Sequence, residues 1–373
     1  MPTEVAGTWP GPAGPPRRRF PTVALVVLTA VASLVGVPLP GVSGGPVAGA
    51  ATAAVGSAVT HAGVVSGGTA GTRAVAEYSA AMSRTVATGC GRPPEPGPTA
   101  HDGPGGDAAQ TLVVGGVTRT YRLAVPDHYS RTRPTPLVLL FHGSGSNAIQ
   151  TSLYTQLPRQ GAKAGYLVAT PDAIGGQWDL STPSGHTADL AYMGALVASL
   201  SHRYCVDPHR VYAAGISLGS EFAAILGCRA SAGIAAVGLV AAEFLLRPCH
   251  GPLPVIAFHG TSDPIVPYRA GGTGLFLPGV PSPGVLQNLG AWAGLDRCRA
   301  VPAVRRLSTM VVRRTWSGCS GGSAVVLYSV LGGGHTWPGS PVTLSAGTFG
   351  KTTEQIGATA LMLAFFAHHR LGR

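Results

Sequence analysis

The sequence predicts an α/β domain built on a mostly parallel sheet with helices on both faces. Three observations carry that expectation. Residues 137–141 (Leu-Val-Leu-Leu-Phe) and 166–170 (Tyr-Leu-Val-Ala-Thr) are unbroken apolar runs of strand length, as a sheet covered on both faces requires. Such runs alternate with segments of helical character, the order that sets strands parallel. Between one such strand and the helix after it, Val211-Tyr212-Ala213-Ala214 runs into Gly215-Ile216-Ser217-Leu218-Gly219. The glycines at both ends of that turn leave room for a sharp strand-to-helix bend.

In chain order, 111–114 and 117–125 read as a β-hairpin turning on Gly115-Gly116. Strands follow at 137–141 and 166–170, a helix at 188–204, and then the strand and helix of the glycine-serine turn. Further strands are expected at 234–241, 255–258 and 324–330. The closing segment 353–369 carries Ile356, Ala360, Leu363, Ala364 and Ala367 at helical spacing, which predicts a core-packed helix on that face.

Ahead of this domain, Arg17, Arg18 and Arg19 precede an apolar run over 23–37, and Ala48-Gly49-Ala50 supplies small residues for cleavage. That is the organisation of a secretory signal peptide over 1–50, exported by the general or the twin-arginine route. The run is shorter than the roughly 20 residues of a spanning helix, so no stable membrane anchor is expected after cleavage. Residues 51–89, rich in Ala and Gly, read as a flexible linker, and 90–373 as the catalytic domain. The net charge of +11 comes from 26 basic against 15 acidic residues. The arginines are scattered without interleaved aromatics, which argues against a nucleic-acid partner. Oligomeric state is not legible.

The six cysteines suit an oxidising compartment, and none has zinc-site spacing, so neither metal nor cofactor is expected. Fifteen pairings are open to six cysteines. Proximity in sequence favours Cys228 with Cys249 and Cys298 with Cys319, leaving Cys90 with Cys205.

Groups that do chemistry on open α/β sheets gather beyond the carboxyl ends of strands. Ser217 lies there after 211–214, Asp263 after the strand at 255–258, and His335 in a glycine-rich loop after 324–330. The order Ser, Asp, His is that of the α/β-hydrolase triad, and α/β-hydrolase is the expected fold. A serine hydroxyl needs an imidazole to take its proton, and a carboxylate on the other ring nitrogen to orient that imidazole. Ser217 is therefore the expected nucleophile, His335 the base and then acid, and Asp263 the orienter. Backbone N–H groups of Leu218 and Ser144 are the expected oxyanion donors. A chain with 54 glycines in 373 residues yields Gly-x-Ser-x-Gly by chance, so the turn gains meaning only from Asp263 and His335. His142 and His259 each end a buried strand and read as packed, hydrogen-bonded rings. Trp178 and Trp337 are candidates for an acyl or aryl pocket, with core packing as the competing role. Asp172 and Asp189 read as structural.

The segments Leu139-Leu140-Phe141-His142-Gly143, 206–212, the serine turn, His259-Gly260-Thr261-Ser262-Asp263-Pro264-Ile265-Val266-Pro267-Tyr268 and Gly332-Gly333-Gly334-His335-Thr336-Trp337-Pro338-Gly339 together resemble secreted polyhydroxybutyrate-depolymerase-like esterases, a family related to feruloyl and acetylxylan esterases. The resemblance spans 90–373 and implies a serine carboxylic ester hydrolase with Ser217, Asp263 and His335 on the triad positions. Glu221 and Ser144 depart from the family pattern; Glu221 either alters the local charge or points to solvent. The segment before Cys90 is too poor in aromatics to adsorb to a solid, so soluble esters or hydroxyalkanoate oligomers are the expected substrates. An exported acyltransferase shares the same triad, and a catalytically silent surface-binding module shares the same fold.

Overall fold

The central strands are apolar on both faces and build two cores, one on each face of a single sheet. The computed structural model describes residues 89–92, 103, 105–180, 188–229, 233–245, 248–249, 251–271 and 282–372. The expected leader and nearly all of the expected linker lie outside these residues. Ten strands are present: β1 (Ala108–Val114), β2 (Val117–Ala124), β3 (Thr135–Phe141), β4 (Leu167–Pro171), β5 (Val206–Ile216), β6 (Ala236–Val240), β7 (Val255–Gly260), β8 (Ala303–Arg306), β9 (Val311–Trp316) and β10 (Val325–Val330). They join in the order β1-β2-β4-β3-β5-β6-β7-β10-β9-β8. The six from β4 to β10 run parallel, and the outer pairs at both edges are antiparallel. This is the expected mostly parallel sheet of an α/β-hydrolase.

Successive side chains of a strand point to opposite faces. Leu137, Leu139 and Phe141 accordingly join one core while Val138 and Leu140 join the other. On β7 the same division separates Val255 and Ala257 from Ile256 and Phe258. The first core is closed by α3 (Ala188–Arg203), α4 (Leu218–Arg229) and α5 (Val285–Leu295), through residues such as Met193, Phe222 and Trp292. The second is closed by α2 (Leu157–Lys163) and α7 (Ala358–Ala367). Two further short helices lie among the described residues, α1 (Ala148–Thr155) and α6 (Ala346–Phe349). Among the described residues no helix is long and apolar enough to cross a membrane.

The closing helix is shorter than expected and buries a different face. Ala358, Thr359, Met362, Leu363 and Phe366 point inward, whereas Ala360, Ala364 and Ala367 are exposed. Leu363 alone is common to the expected and observed faces. The segment Ala-Leu-Met-Leu-Ala-Phe-Phe-Ala is apolar all round, so its period carries no contrast to select a face. The choice is made by contacts: Phe366 stacks on Tyr212 with centroids 4.6 Å apart, and Thr359 Oγ1 donates to the Thr155 carbonyl at 2.6 Å.

The three disulfides are Cys90–Cys205, Cys228–Cys249 and Cys298–Cys319, the pairing favoured by sequence proximity. The first ties residues 89–92 to the start of β5, and Gly89 N–H donates to the Ser201 carbonyl at the end of α3 at 2.9 Å.

Candidate active site

Ser217 occupies the one-residue junction between β5 and α4, with φ of +57°. A left-handed conformation is costly for a residue with a β-carbon and persists only where the surroundings enforce it. They do so here: Ser217 N–H donates to the Val240 carbonyl of β6 at 2.9 Å, and its carbonyl accepts from Ser220 and Glu221 as α4 begins. Gly215 and Gly219 make the bend sterically possible. A β-carbon on Gly215 would strike the Gly219 carbonyl, and one on Gly219 the carbonyls of Phe141 and His142.

The loops that carry Asp263 and His335 leave the neighbouring parallel strands β7 and β10, which end in register at Gly260 and Val330. The two loops are laced together. Ser262 N–H donates to the Gly333 carbonyl at 2.9 Å, and Gly332 N–H to Thr261 Oγ1 at 2.8 Å. Residues 346–351 brace the second loop from outside through His335 N–H to the Phe349 carbonyl at 2.6 Å and Gly334 N–H to the Lys351 carbonyl at 2.9 Å. Within this frame His335 Nδ1 lies 2.8 Å from Asp263 Oδ2, and the carboxylate is fully buried. The other oxygen, Oδ1, accepts from the N–H groups of Ile265 and Val266 at 2.8 and 2.9 Å. Burial works against ionisation of Asp263, but hydrogen bonds from His259 and His335 outweigh it and hold the carboxyl well below the usual range. An ionised Asp263 makes Nδ1 the protonated nitrogen of a neutral His335, leaving Nε2 as the basic one.

The loop after β3 runs alongside Ser217: a β-carbon on Gly143 would sit 3.5 Å from Ser217 Cβ. Ser144 is exposed next to it, and its hydroxyl accepts from Gln177 Nε2 at 2.6 Å. Leu218 is the first residue of α4, so its N–H is one of the four at a helix start with no partner within the helix. His142 is a structural ring, as expected. Its Nε2 accepts from Ala173 N–H at 3.0 Å, so Nδ1 carries the proton and donates to the Gly143 carbonyl at 2.8 Å. Burial pulls its pKa down, which keeps it neutral. Asp172 and Asp189 are structural too, Asp189 in a buried ion pair with Arg119 at 2.6 Å.

Of the two roles the sequence leaves open for the tryptophans, the structure shows core packing. Trp178 is stacked on Phe222 with centroids 4.6 Å apart, and its Nε1 donates to the His142 carbonyl at 2.9 Å. Trp337 lies in the opposite core with its Nε1 donating to Thr359 Oγ1 at 3.0 Å. Both are 3% exposed or less, held by packing and by a fixed N–H bond. A cleft of about 430 Å³ opens beside β1 and β2, but its lining includes none of Ser217, Asp263 and His335.

Glu221 does not point to solvent. It lies one helical turn after Ser217 and is buried near a second buried acid, Glu243. Burial, and then the charge of Glu243, pushes its carboxyl up to about 7. Glu243, three residues past the end of β6, places Oε2 2.9 Å from His259 Nδ1. Its position beyond a strand end was the sequence signal that could have flagged it. The sign of the pH effect follows from the raised value. The folded state holds the Glu221 proton more tightly than the unfolded chain, so stability from this group is greatest below about 4.5 and falls as pH rises towards 7. Glu221→Gln should therefore unfold at the same urea concentration as the parent at pH 4 and be more stable by about 3 kcal/mol at pH 8. Equal midpoints at pH 8 would refute the burial of a charge there.

The family model described as "Esterase PHB depolymerase" matches residues 119–290, a segment that holds Ser217 and Asp263. Over that segment, just under half of its length, the chain is similar to the polyhydroxybutyrate-depolymerase-like esterases. Among curated relatives, "Putative esterase NocK" of Nocardia uniformis subsp. tsuyamanensis is 29% identical over 311 residues, 73% of this chain and 90% of that protein. Feruloyl esterase B of Piromyces equi is 26% identical over 223 residues, 56% of this chain and 41% of the relative, so this chain spans less than half of that longer protein. Among solved structures, the acetyl xylan esterase from Aspergillus awamori aligns with a TM-score of 0.49 at 14% identity, over 70% of this chain and 99% of its own.

Proposed function

We propose that this esterase is secreted and hydrolyses carboxylic esters through an acyl-enzyme formed on Ser217. The observation that carries the reading is the buried Asp263 carboxylate 2.8 Å from His335 Nδ1, at the same sheet end as a serine in a left-handed strand-to-helix turn. His335 Nε2 takes the Ser217 proton as Oγ attacks the ester carbonyl. The tetrahedral oxyanion accepts hydrogen bonds from the N–H groups of Leu218 and Ser144, each worth about 3–4 kcal/mol of transition-state stabilisation. His335 then returns the proton to the departing alcohol. Water repeats the sequence on the acyl-enzyme, releasing the acid and restoring Ser217. Asp263 remains ionised throughout and stabilises the transient imidazolium.

Soluble esters and hydroxyalkanoate oligomers are the proposed substrates, with feruloyl and acetyl esters as near relatives in chemistry. Three disulfides and an apolar, arginine-led N-terminal segment support export. An organophosphonate should label Ser217, and peptide mass spectrometry would locate the adduct. Folded protein that takes up no label would defeat the reading. A panel of short-chain aryl esters, methyl ferulate, acetylated xylan and hydroxybutyrate oligomers would then assign the acyl group.

A further inference from the structure

His259, the penultimate residue of β7, is wholly buried and faces Asp263 Oδ2, the oxygen that His335 also faces. Its surroundings restrict where its protons are. Nε2 is 2.9 Å from the Val266 carbonyl and 3.3 Å from Asp263 Oδ2. A carbonyl only accepts, so Nε2 carries a proton. Nδ1 is 2.9 Å from Glu243 Oε2, and that contact requires a proton on one of the two partners. The choice is an imidazolium with two carboxylates, or a neutral ring with a protonated Glu243. Asp263 stays ionised because its oxygens receive Ile265 N–H, Val266 N–H and His335 Nδ1–H as well as facing His259. A cation between two anions is the lower-energy arrangement in a buried site.

The other groups around the ring do not compete. Tyr268 meets it edge-on with centroids 5.8 Å apart, and its hydroxyl is bonded to Ser329 Oγ at 2.7 Å. Trp292 Nε1 donates to the backbone carbonyl of Glu243 rather than to its carboxyl. Glu221, the remaining acid nearby, opposes a second negative charge and itself keeps its proton to about pH 7.

We propose that His259 is held as an imidazolium between Glu243 and Asp263 and is a positioning residue for His335: it pins the Asp263 carboxylate and offsets part of the negative charge that His335 faces. The inference rests on the reading of His335 as the general base. Both rings contact the same oxygen, Asp263 Oδ2, so the nearest nitrogens of His259 and His335 are within about 6 Å of each other. A fixed cation at that range disfavours a second one on His335. Asp263 still orients the base.

Two measurements test this. In the full-length parent, nitrogen NMR of the histidine rings, assigned through the backbone, should show both His259 nitrogens protonated at pH 8. A neutral His259 at that pH overturns the proposal, whatever the activity. His259→Gln should move the acidic limb of the kcat/KM–pH profile upward by about one pH unit, and Glu243→Gln should move it in the same direction by less. A uniform fall in kcat at every pH with an unchanged midpoint would mark His259 as merely structural. If the parent turns over no ester, the Ser217 reading fails, and the NMR result still decides the charge on His259. If His259→Gln does not fold, the profile of the near-isosteric Glu243→Gln decides the effect on His335.

Discussion

Replacing Ser217 with alanine is expected to lower ester turnover by about 10⁵–10⁶-fold while leaving the fold intact. Alanine keeps the β-carbon, so the left-handed turn at φ +57° is no worse tolerated than before, and the N–H bond to the Val240 carbonyl is unaffected. His335→Ala should fall within about tenfold of Ser217→Ala, and the double variant should be little worse than either, because nucleophile and base act as a unit. Residual rates come from oxyanion donors and binding alone. Steady-state kinetics on an aryl ester, with circular dichroism to verify folding, would check this. Additive losses, or activity within about tenfold of the parent, would require another nucleophile.

Removing the Cys90–Cys205 bridge should cost the most stability of any single disulfide. It joins residues 115 apart, whereas the other two each span 21. In the chain-entropy account, cross-linking so long a loop contributes about 4–5 kcal/mol, against about 3 for the short ones. The bridge also anchors residues 89–92, whose other ties include the Gly89 bond to Ser201 and the Gly91 bond to Arg131. Urea unfolding of Cys90→Ser/Cys205→Ser beside Cys298→Ser/Cys319→Ser would measure the difference. Equal losses would show that the unfolded chain is already constrained or that strain offsets the longer loop.

Elements were legible where local pattern and burial agree. The strands at β3, β4, β7 and β10 are short apolar runs, and such runs have little alternative to a covered sheet. The antiparallel β8–β9 edge was missed for the opposite reason. Ala303–Arg306 is exposed at every position, and β9 places Arg313 and Arg314 between its buried ends, so no alternation advertises a strand. Helices α1 and α2 were missed because they are short and abut at Gln156, which takes a left-handed φ of 54° between them. The helical period of α7 was legible, but its buried face was not, since apolar residues surround it.

The site divides in the same way. Sequence alone was enough to nominate Ser217, Asp263 and His335, because each follows a recognisable strand and strand ends are where such sheets gather their chemistry. Only the tertiary structure revealed that Glu221 and Glu243 are buried together, that His259 bridges Glu243 to Asp263, and that Trp178 and Trp337 are taken up by the two cores. The physical reason is range. Strand and turn formation depend on neighbours a few residues away, whereas the charge state of a buried acid depends on which groups the folded sheet brings against it. Glu221, Glu243 and His259 lie on α4, beyond β6 and on β7, and no local pattern records that they meet.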